Sequence, residues 1–141
     1  MTVNLNGVFA PVVTTFSPRD GELDIAGFES NVAAHMAAGL HGVVVTGSTG
    51  EAALLDASER GALVDVARQM IPPGKGLIVG TGAESTRTCL QLTRDAAGRG
   101  ADAVLVVAPH YYGAAMTTAA LRSHYLQVGR ASCRERVSSV V

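Results

Sequence analysis

Four short apolar runs constrain the fold of this chain more than any other feature of its sequence. They span residues 8–16, 41–47, 76–82 and 101–109, and each is rich in aliphatic residues, valine above all. None shows the alternation of apolar and polar residues that marks a strand with one face in water. Strands buried on both faces have this pattern, and such strands belong to parallel sheets. The sequence therefore predicts four parallel strands.

A segment with helical spacing follows each apolar run. These four segments are predicted to be helices with apolar residues on the inward face. The inward-facing residues are Ile25, Phe28, Val32 and Met36 in the first helix, Leu63, Val66, Ala67 and Met70 in the second, Cys89, Leu92 and Ala96 in the third, and Leu121, Tyr125 and Val128 in the fourth. Asp56–Glu59 forms a plausible capping box for the second helix. Glu84 and Ser85 are assigned to the start of the third.

Repeated strand–helix units require right-handed crossovers and a parallel sheet, which leaves an open doubly wound sheet or a barrel. A Rossmann domain needs G-x-G-x-x-G after its first strand, but that strand ends here in TTFSPRDG. No phosphate-binding P-loop motif is present either. Polar turns follow strands two, three and four, and a TIM barrel gathers its chemistry on successive strand ends in this way. The predicted fold class is α/β, with residues 1–128 forming the N-terminal half of a (β/α)8 TIM barrel.

The composition argues against several classes of function. The net charge of −1, with both signs scattered, gives no footprint for nucleic acid or anionic lipid. No run approaches the about 18 apolar residues of a membrane span, and the N-terminus has no secretory signal. Neither the four histidines nor the two cysteines, Cys89 and Cys133, have metal-site spacing. We expect a soluble, cytoplasmic protein with no metal, no cofactor, and no nucleic-acid or membrane partner.

Three polar turns occur in order along the chain: GSTGE after the second run, GTGAEST after the third and PHYY after the fourth. Alone, GSTGE fits an ordinary strand-to-helix turn better than a binding site. With all three in register, from about Gly7 to Val128, the chain resembles the dihydrodipicolinate synthase/N-acetylneuraminate lyase family. Within that family, residues 100–125 look most similar to 4-hydroxy-2-oxoglutarate aldolases.

The resemblance implies a function. Family members are (β/α)8 enzymes that form a Schiff base between a lysine and a 2-oxo acid such as pyruvate, for C–C bond cleavage or condensation. It implies a small-molecule 2-oxo acid as the ligand, and a homo-oligomer, dimer or tetramer, in the full-length family. It leaves the second substrate and the direction of reaction open.

The resemblance also assigns roles within the GSTGE turn. By motif match, Thr49 binds the substrate carboxylate together with its own N–H, and Ser48 belongs to the proton relay. Gly47 and Gly50 set the backbone, and Glu51 ties down the turn. This is physically reasonable, because glycines allow close approach of the backbone and consecutive N–H groups form an anion-binding nest.

A tyrosine in the turn after the fourth strand completes the relay of a neighbouring subunit in the family. Counting from Pro109 without a gap selects Tyr111 as this catalytic residue, with Tyr112 as the alternative. The family usually has Thr-Pro at the first strand, whereas here Thr14 is followed by Thr15. This difference removes no catalytic group that the family is known to use.

The sequence lacks the residue that a class I aldolase needs most, an amine nucleophile at the site. Its single lysine, Lys75, precedes the third strand and is predicted to lie at the opposite end of the barrel. Residues 129–141 lack βα character, and residues 129–137 look like a translated sequencing-adapter oligonucleotide, so we interpret 129–141 as a non-native tail. We expect the chain as written to be insoluble or domain-swapped, without aldolase activity.

Two hypotheses follow for function. In the first, the parent gene encodes a class I aldolase or lyase that acts on pyruvate-type 2-oxo acids, with its lysine in a segment beyond this sequence. In the second, the chain is a non-catalytic 2-oxo-acid-binding or dimerisation module that uses the GSTGE turn alone. A downstream lysine strand would support the first hypothesis, and saturable pyruvate binding by the chain would support the second.

Overall fold

The structure, a computed structural model, describes residues 4–134. Strands and helices alternate along the chain as predicted: β1 (Phe9–Pro11), α1 (Ile25–Ala37), β2 (Gly42–Val45), α2 (Ala57–Met70), β3 (Gly76–Gly80), α3 (Thr86–Gly98), β4 (Ala103–Leu105) and α4 (Thr118–Arg134). Short 3-10 helices at Ala52–Leu54 and Gly113–Ala115 interrupt the turns after β2 and β4.

The four strands form one parallel sheet in the order β1-β2-β3-β4. In register, Ala10 pairs with Val43, Val43 with Leu77, and Val79 with Val104. Because every strand runs in the same direction, the turns that follow β2, β3 and β4 meet at one edge of the sheet. This edge carries all three polar turns that the sequence singled out.

The helices pack against one face of the sheet and bury it. The buried residues of this layer come from alternate strand positions and from the inner faces of the helices: Val43, Val45, Leu77, Val79, Val104, Phe28, Val32, Leu63, Ala67 and Cys89. Fully burying one such aliphatic side chain contributes about 1.5–3 kcal/mol to stability. This layer therefore holds the four βα units together.

The opposite face of the sheet carries the other alternate positions and is largely uncovered in residues 4–134. Val44, Ile78 and Leu105 are half-buried there, while Val13 and Val107 are 46% and 57% exposed. The strands were predicted to be buried on both faces. Within residues 4–134 they are buried only on the face that the helices cover.

Two helix starts agree with their sequence signals. Asp56 and Glu59 form the predicted capping box, in which Asp56 Oδ1 accepts from the Glu59 N–H (2.9 Å) and Glu59 Oε2 accepts from the Asp56 N–H (2.8 Å). Ser85 is the N-cap of α3, and its hydroxyl accepts from the Thr88 N–H at 3.1 Å. Glu84, which was assigned to the same helix start, instead accepts hydrogen bonds from the backbone of residues 110 and 111.

The fourth helix differs from the prediction in its length and in its buried face. It continues past Val128 to Arg134, and Ala131 and Ser132 are buried. The prediction that helical structure is lost from residue 129 is therefore wrong for residues 129–134. The buried side of the helix includes His124, 4% exposed, whereas Tyr125, predicted to face inward, is 36% exposed.

Residues 135–141 lie outside the described part of the chain, and the non-native origin of 129–141 stays a prediction. None of the helices within residues 4–134 has the length and hydropathy to cross a bilayer.

Candidate functional site

The GSTGE sequence forms a compact turn between β2 and the 3-10 helix at Ala52–Leu54. The Gly47 carbonyl accepts hydrogen bonds from the N–H groups of Gly50 (3.0 Å) and Ala52 (3.2 Å), and the Ser48 carbonyl accepts from Glu51 (3.1 Å). Gly50 is buried, and a Cβ there would lie 3.0 Å from the Val12 carbonyl oxygen, which leaves little room for a side chain. The turn is therefore fixed mainly by its own backbone.

Two threonines attach this turn to the neighbouring strands. Thr14 Oγ1 donates to the Gly50 carbonyl at 2.6 Å, and Thr46 Oγ1 donates to the Gly80 carbonyl at 3.0 Å. Thr46 has a φ of 50°, which is rare for a β-branched residue and costs about 1–3 kcal/mol. Strain of this kind persists only where the surroundings enforce it, and it clusters at functional sites. Neither contact was predicted from the sequence.

The turn leaves several polar groups uncommitted. In the part of the chain that the structure describes, neither the N–H groups nor the hydroxyls of Ser48 and Thr49 take part in a hydrogen bond. Both side chains are exposed. Two adjacent N–H donors and two hydroxyls at one strand end are suited to an anionic ligand, since each hydrogen bond to a charged group contributes about 1.5–3 kcal/mol.

A cavity of about 510 Å³ opens beside this turn, between the turns that follow β2, β3 and β4. Gly47 and Ser48 line it, but Thr49, Gly50 and Tyr111 do not. Its walls are mainly apolar, and Arg60 from the first turn of α2 enters as a half-buried cation. The Arg60 guanidinium donates to the Ala52 carbonyl, and burial lowers the pKa of Arg60 from its usual range.

The turn that carries Tyr111 is held by Glu84. Glu84 Oε2 accepts hydrogen bonds from the backbone N–H groups of His110 and Tyr111, both at 3.0 Å. Its Oε1 lies 3.2 Å from His110 Nδ1. The N–H of Tyr111, with smaller contributions from the His110 N–H and imidazole, lowers the pKa of the Glu84 carboxyl below its ordinary value.

Both candidate tyrosines are exposed on this turn. Tyr111 is 76% exposed, and its ring meets that of Tyr112 edge to face with centroids 4.9 Å apart. Neither ring lines the cavity beside Ser48. The contacts within the described residues leave the choice between the two tyrosines open.

Lys75 lies just before β3, at the amino end of the sheet. Its Nζ donates to the Leu40 carbonyl, in the connection between α1 and β2. The turn with Ser48 and Thr49 follows the carboxyl end of β2. The structure therefore places Lys75 at the opposite end of the sheet from the candidate site, as the sequence predicts.

Three residues at this edge of the sheet were missed or misassigned from sequence: Thr46, Arg60 and Glu84. Arg60 carried a weak signal, since it is a cation near the start of a helix, where acidic residues are favoured. No group of three or more metal-ligating side chains occurs within residues 4–134.

Comparison with known proteins agrees with the geometry. A sequence model of the Dihydrodipicolinate synthetase family matches residues 4–134. The chain belongs to this family. The mitochondrial "probable 4-hydroxy-2-oxoglutarate aldolase" of Emericella nidulans is similar to it, with 39% identity over 130 residues. That match covers 89% of this chain and 42% of the fungal protein.

Solved structures of the family have the same fold. A family protein from Coccidioides immitis superposes with a TM-score of 0.85 at 33% identity, over 99% of this chain and 44% of that one. A prophage protein of the family from E. coli K12, in complex with pyruvate, superposes with a TM-score of 0.82 at 30% identity, over 91% of this chain and 42% of that one. These relatives are TIM barrels, so the predicted fold class, an N-terminal half-barrel, is confirmed. The chain spans less than half the length of the relatives it matches.

Proposed function

We propose that this chain is the N-terminal half of a lyase or aldolase that forms a Schiff base with pyruvate or a related 2-oxo acid. The observation that carries the proposal is the turn at Gly47–Gly50, which lies at the carboxyl end of a parallel strand. Its Ser48 and Thr49 have N–H groups and hydroxyls with no hydrogen-bond partner among residues 4–134. In TIM barrels that end carries the chemistry. The membership of an aldolase-containing family and the pyruvate complex of a relative support the same assignment.

In the proposed mechanism a lysine amine adds to the ketone carbon of the 2-oxo acid, a C–N bond forms, and water leaves as the imine is made. In the cleavage direction, the hydroxyl on the carbon beyond the bond that breaks gives its proton to the relay, that fragment leaves as an aldehyde or 2-oxo acid, and the electron pair of the C–C bond passes to the protonated imine. The resulting enamine takes up a proton at carbon to give an imine, which water hydrolyses to pyruvate and the free lysine. Condensation is the reverse of these steps. Thr49 and its N–H hold the substrate carboxylate, with Gly47 and Gly50 shaping the backbone. Ser48 and Tyr111 relay protons, Tyr111 in a neighbouring subunit of a homo-oligomer.

The lysine of this mechanism is proposed to lie in sequence beyond these 141 residues. Lys75 does not fit the role because it lies at the amino end of the sheet with its Nζ on the Leu40 carbonyl. The chain by itself is therefore expected to have no aldolase turnover. We propose no metal, cofactor, nucleic-acid or membrane partner for the parent enzyme. We also propose that it acts in the cytoplasm, although the fungal relative is named as a mitochondrial protein.

The first experiment is a long sequencing read of the source DNA across the codon for Val128. The expected frame continues into a strand with a tyrosine and then one with a lysine. The protein from that frame is then incubated with pyruvate and borohydride. Reductive trapping should add the mass of one pyruvic acid less one oxygen atom to the downstream lysine. Lys75→Arg should leave trapping unchanged, and Thr49→Ala should weaken it. A frame that stops after Val141, or trapping on Lys75, would overturn the proposal.

A non-catalytic 2-oxo-acid-binding or dimerisation module is the second candidate. The observation in its favour is the combination of an anion-compatible turn with a single lysine at the opposite end of the sheet. It predicts saturable pyruvate binding by the 141-residue chain that Thr49→Ala weakens. No saturation at millimolar pyruvate would count against it.

A further inference from the structure

Glu84 makes contacts that the start of α3 does not require. Ser85 caps the helix with its own hydroxyl, so the first turn of α3 needs no acceptor from Glu84. The Glu84 side chain instead points to the next βα unit, where it meets the backbone of residues 110 and 111. The Glu84 side chain therefore acts on the turn after β4.

The two N–H groups that Glu84 binds are consecutive along the chain. Adjacent backbone N–H groups form a small anion-binding concavity, and one carboxylate oxygen fills it here with two bonds of 3.0 Å. The second oxygen faces His110 Nδ1 at 3.2 Å. Charge-assisted bonds of this kind are stronger than bonds between neutral groups.

Other hydrogen bonds do little to hold this turn in place. Within residues 4–134, every hydrogen bond that passes from residues 108–112 to another βα unit ends on Glu84. The remaining bonds of the turn are local, such as Ala115 N–H to the Tyr112 carbonyl at 2.8 Å. The β3–β4 ladder ends below the turn, at Gly80 and Leu105. The backbone of Tyr111 thus depends on a single carboxylate for its polar attachment to the unit before it.

We propose that Glu84 is the positioning residue for Tyr111, holding the backbone of that residue at the edge of the sheet while its phenol ring projects outward. This inference rests on the proposed role of Tyr111 as a relay residue for a neighbouring subunit. A phenol that reaches across a subunit boundary needs a fixed backbone, because its exposed ring receives little support from its own chain. Glu84 provides that support from the turn after β3.

The test compares hydrogen exchange, read by mass spectrometry, in the wild-type chain, Glu84→Ala and Glu84→Gln. Exchange in a peptide covering residues 108–116 should rise several-fold in Glu84→Ala. Glu84→Gln should lie between, because its neutral amide oxygen still accepts. A peptide covering β2 should be unchanged in all three. Glu29→Gln, at an exposed glutamate of α1, is the control and should behave as wild type. All variants are compared at one protein concentration, because self-association shifts apparent stability.

A pH series separates positioning by the charged carboxylate from a general structural role. After correction for intrinsic exchange, protection of residues 110 and 111 in wild type should fall as pH drops through the lowered pKa of Glu84, and by more than the protection of the β2 peptide falls over the same range. Glu84→Gln cannot titrate and should show no such step. Equal exchange in wild type and Glu84→Ala, or a rise that is uniform over the whole chain, would overturn the inference.

This measurement uses no pyruvate, so its failure is distinct from failure of the proposed function. Normal trapping by the full frame with unchanged exchange in Glu84→Ala would reject the positioning role alone. A clear exchange effect with no trapping would reject the aldolase and leave the Glu84 contact standing.

Discussion

At the scale of single residues, the candidate site depends on positions where the backbones of neighbouring strands approach closely. A Cβ at Gly80 would lie 2.0 Å from the Thr46 carbonyl oxygen, well inside van der Waals contact. Thr46 has its unusual positive φ at this point, and its hydroxyl donates to the Gly80 carbonyl. The path by which the chain enters the GSTGE turn thus requires a glycine at this position of the adjacent strand.

Gly80→Ala should destabilise the fold, because the added methyl group meets backbone that cannot move away without breaking the β2–β3 ladder. Overpacking of this kind costs about 1–3 kcal/mol. The measurement is the urea midpoint at one protein concentration, since self-association shifts apparent stability. Gly98→Ala is the matched control, because its Cβ would meet nothing within 4 Å at the end of α3, and it should be neutral or mildly stabilising. An equal midpoint for the two variants would contradict this account.

At the scale of elements, the pairing of α3 with α4 buries a histidine with little polar support. His124 Nδ1 lies 3.0 Å from Thr86 Oγ1 on α3. Its Nε2 is buried and has no hydrogen-bond partner among the described residues. Burial lowers the pKa of His124 from its ordinary value, because the protonated ring would lose hydration that nothing replaces.

This lowered pKa predicts that stability falls on mild acidification. The unfolded chain takes up a proton near pH 6.5, while the folded chain resists protonation until a lower pH. Stability from neutral His124 is therefore complete above the unfolded pKa and is lost as pH falls through the folded pKa. In His124→Gln the urea midpoint should change less with pH between about pH 7.5 and 5 than in wild type. In His35→Gln, on α1, the midpoint should change with pH as it does in wild type. A His124→Gln profile as steep as wild type would refute the assignment.

At the scale of the whole molecule, four βα units cover one face of the sheet and leave the other open. Val13 and Val107 lie exposed on that face, and the outer edges of β1 and β4 have no pairing strand among the described residues. Open strand edges and apolar faces promote association with other chains. In the relatives, more than half of the chain lies beyond the matched region.

We therefore expect the 141-residue chain to self-associate when expressed alone. Val13→Lys should raise the monomeric fraction measured by analytical ultracentrifugation, because it places a charge on the open sheet face. Leu126→Lys is the matched control, because Leu126 on α4 is 45% exposed, against 46% for Val13, but lies on a helix rather than on the sheet. A stable wild-type monomer with one cooperative unfolding transition would contradict the expectation.

Much of the fold could be predicted from sequence because its signals are local. The capping box of α2 needs only Asp56 and Glu59, and valine-rich runs separated by helical spacing define the order of elements. The end of α4 was placed too early because a glycine and arginines weaken a periodic pattern without breaking a helix. Its buried face was misplaced by one position, since packing on α3 selected His124 over Tyr125.

The sequence by itself determined the alternation of strands and helices, the family, and the turn at Gly47–Gly50, because short-range pattern and motif order carry that information. Tertiary structure alone decided the contacts that organise the site. Glu84 precedes His110 by 26 residues and meets it only because β3 and β4 pair in parallel. The positive φ of Thr46 is accommodated because Gly80, which has no side chain, lies against it across the sheet. Such contacts depend on which segments become neighbours, and no local pattern encodes that.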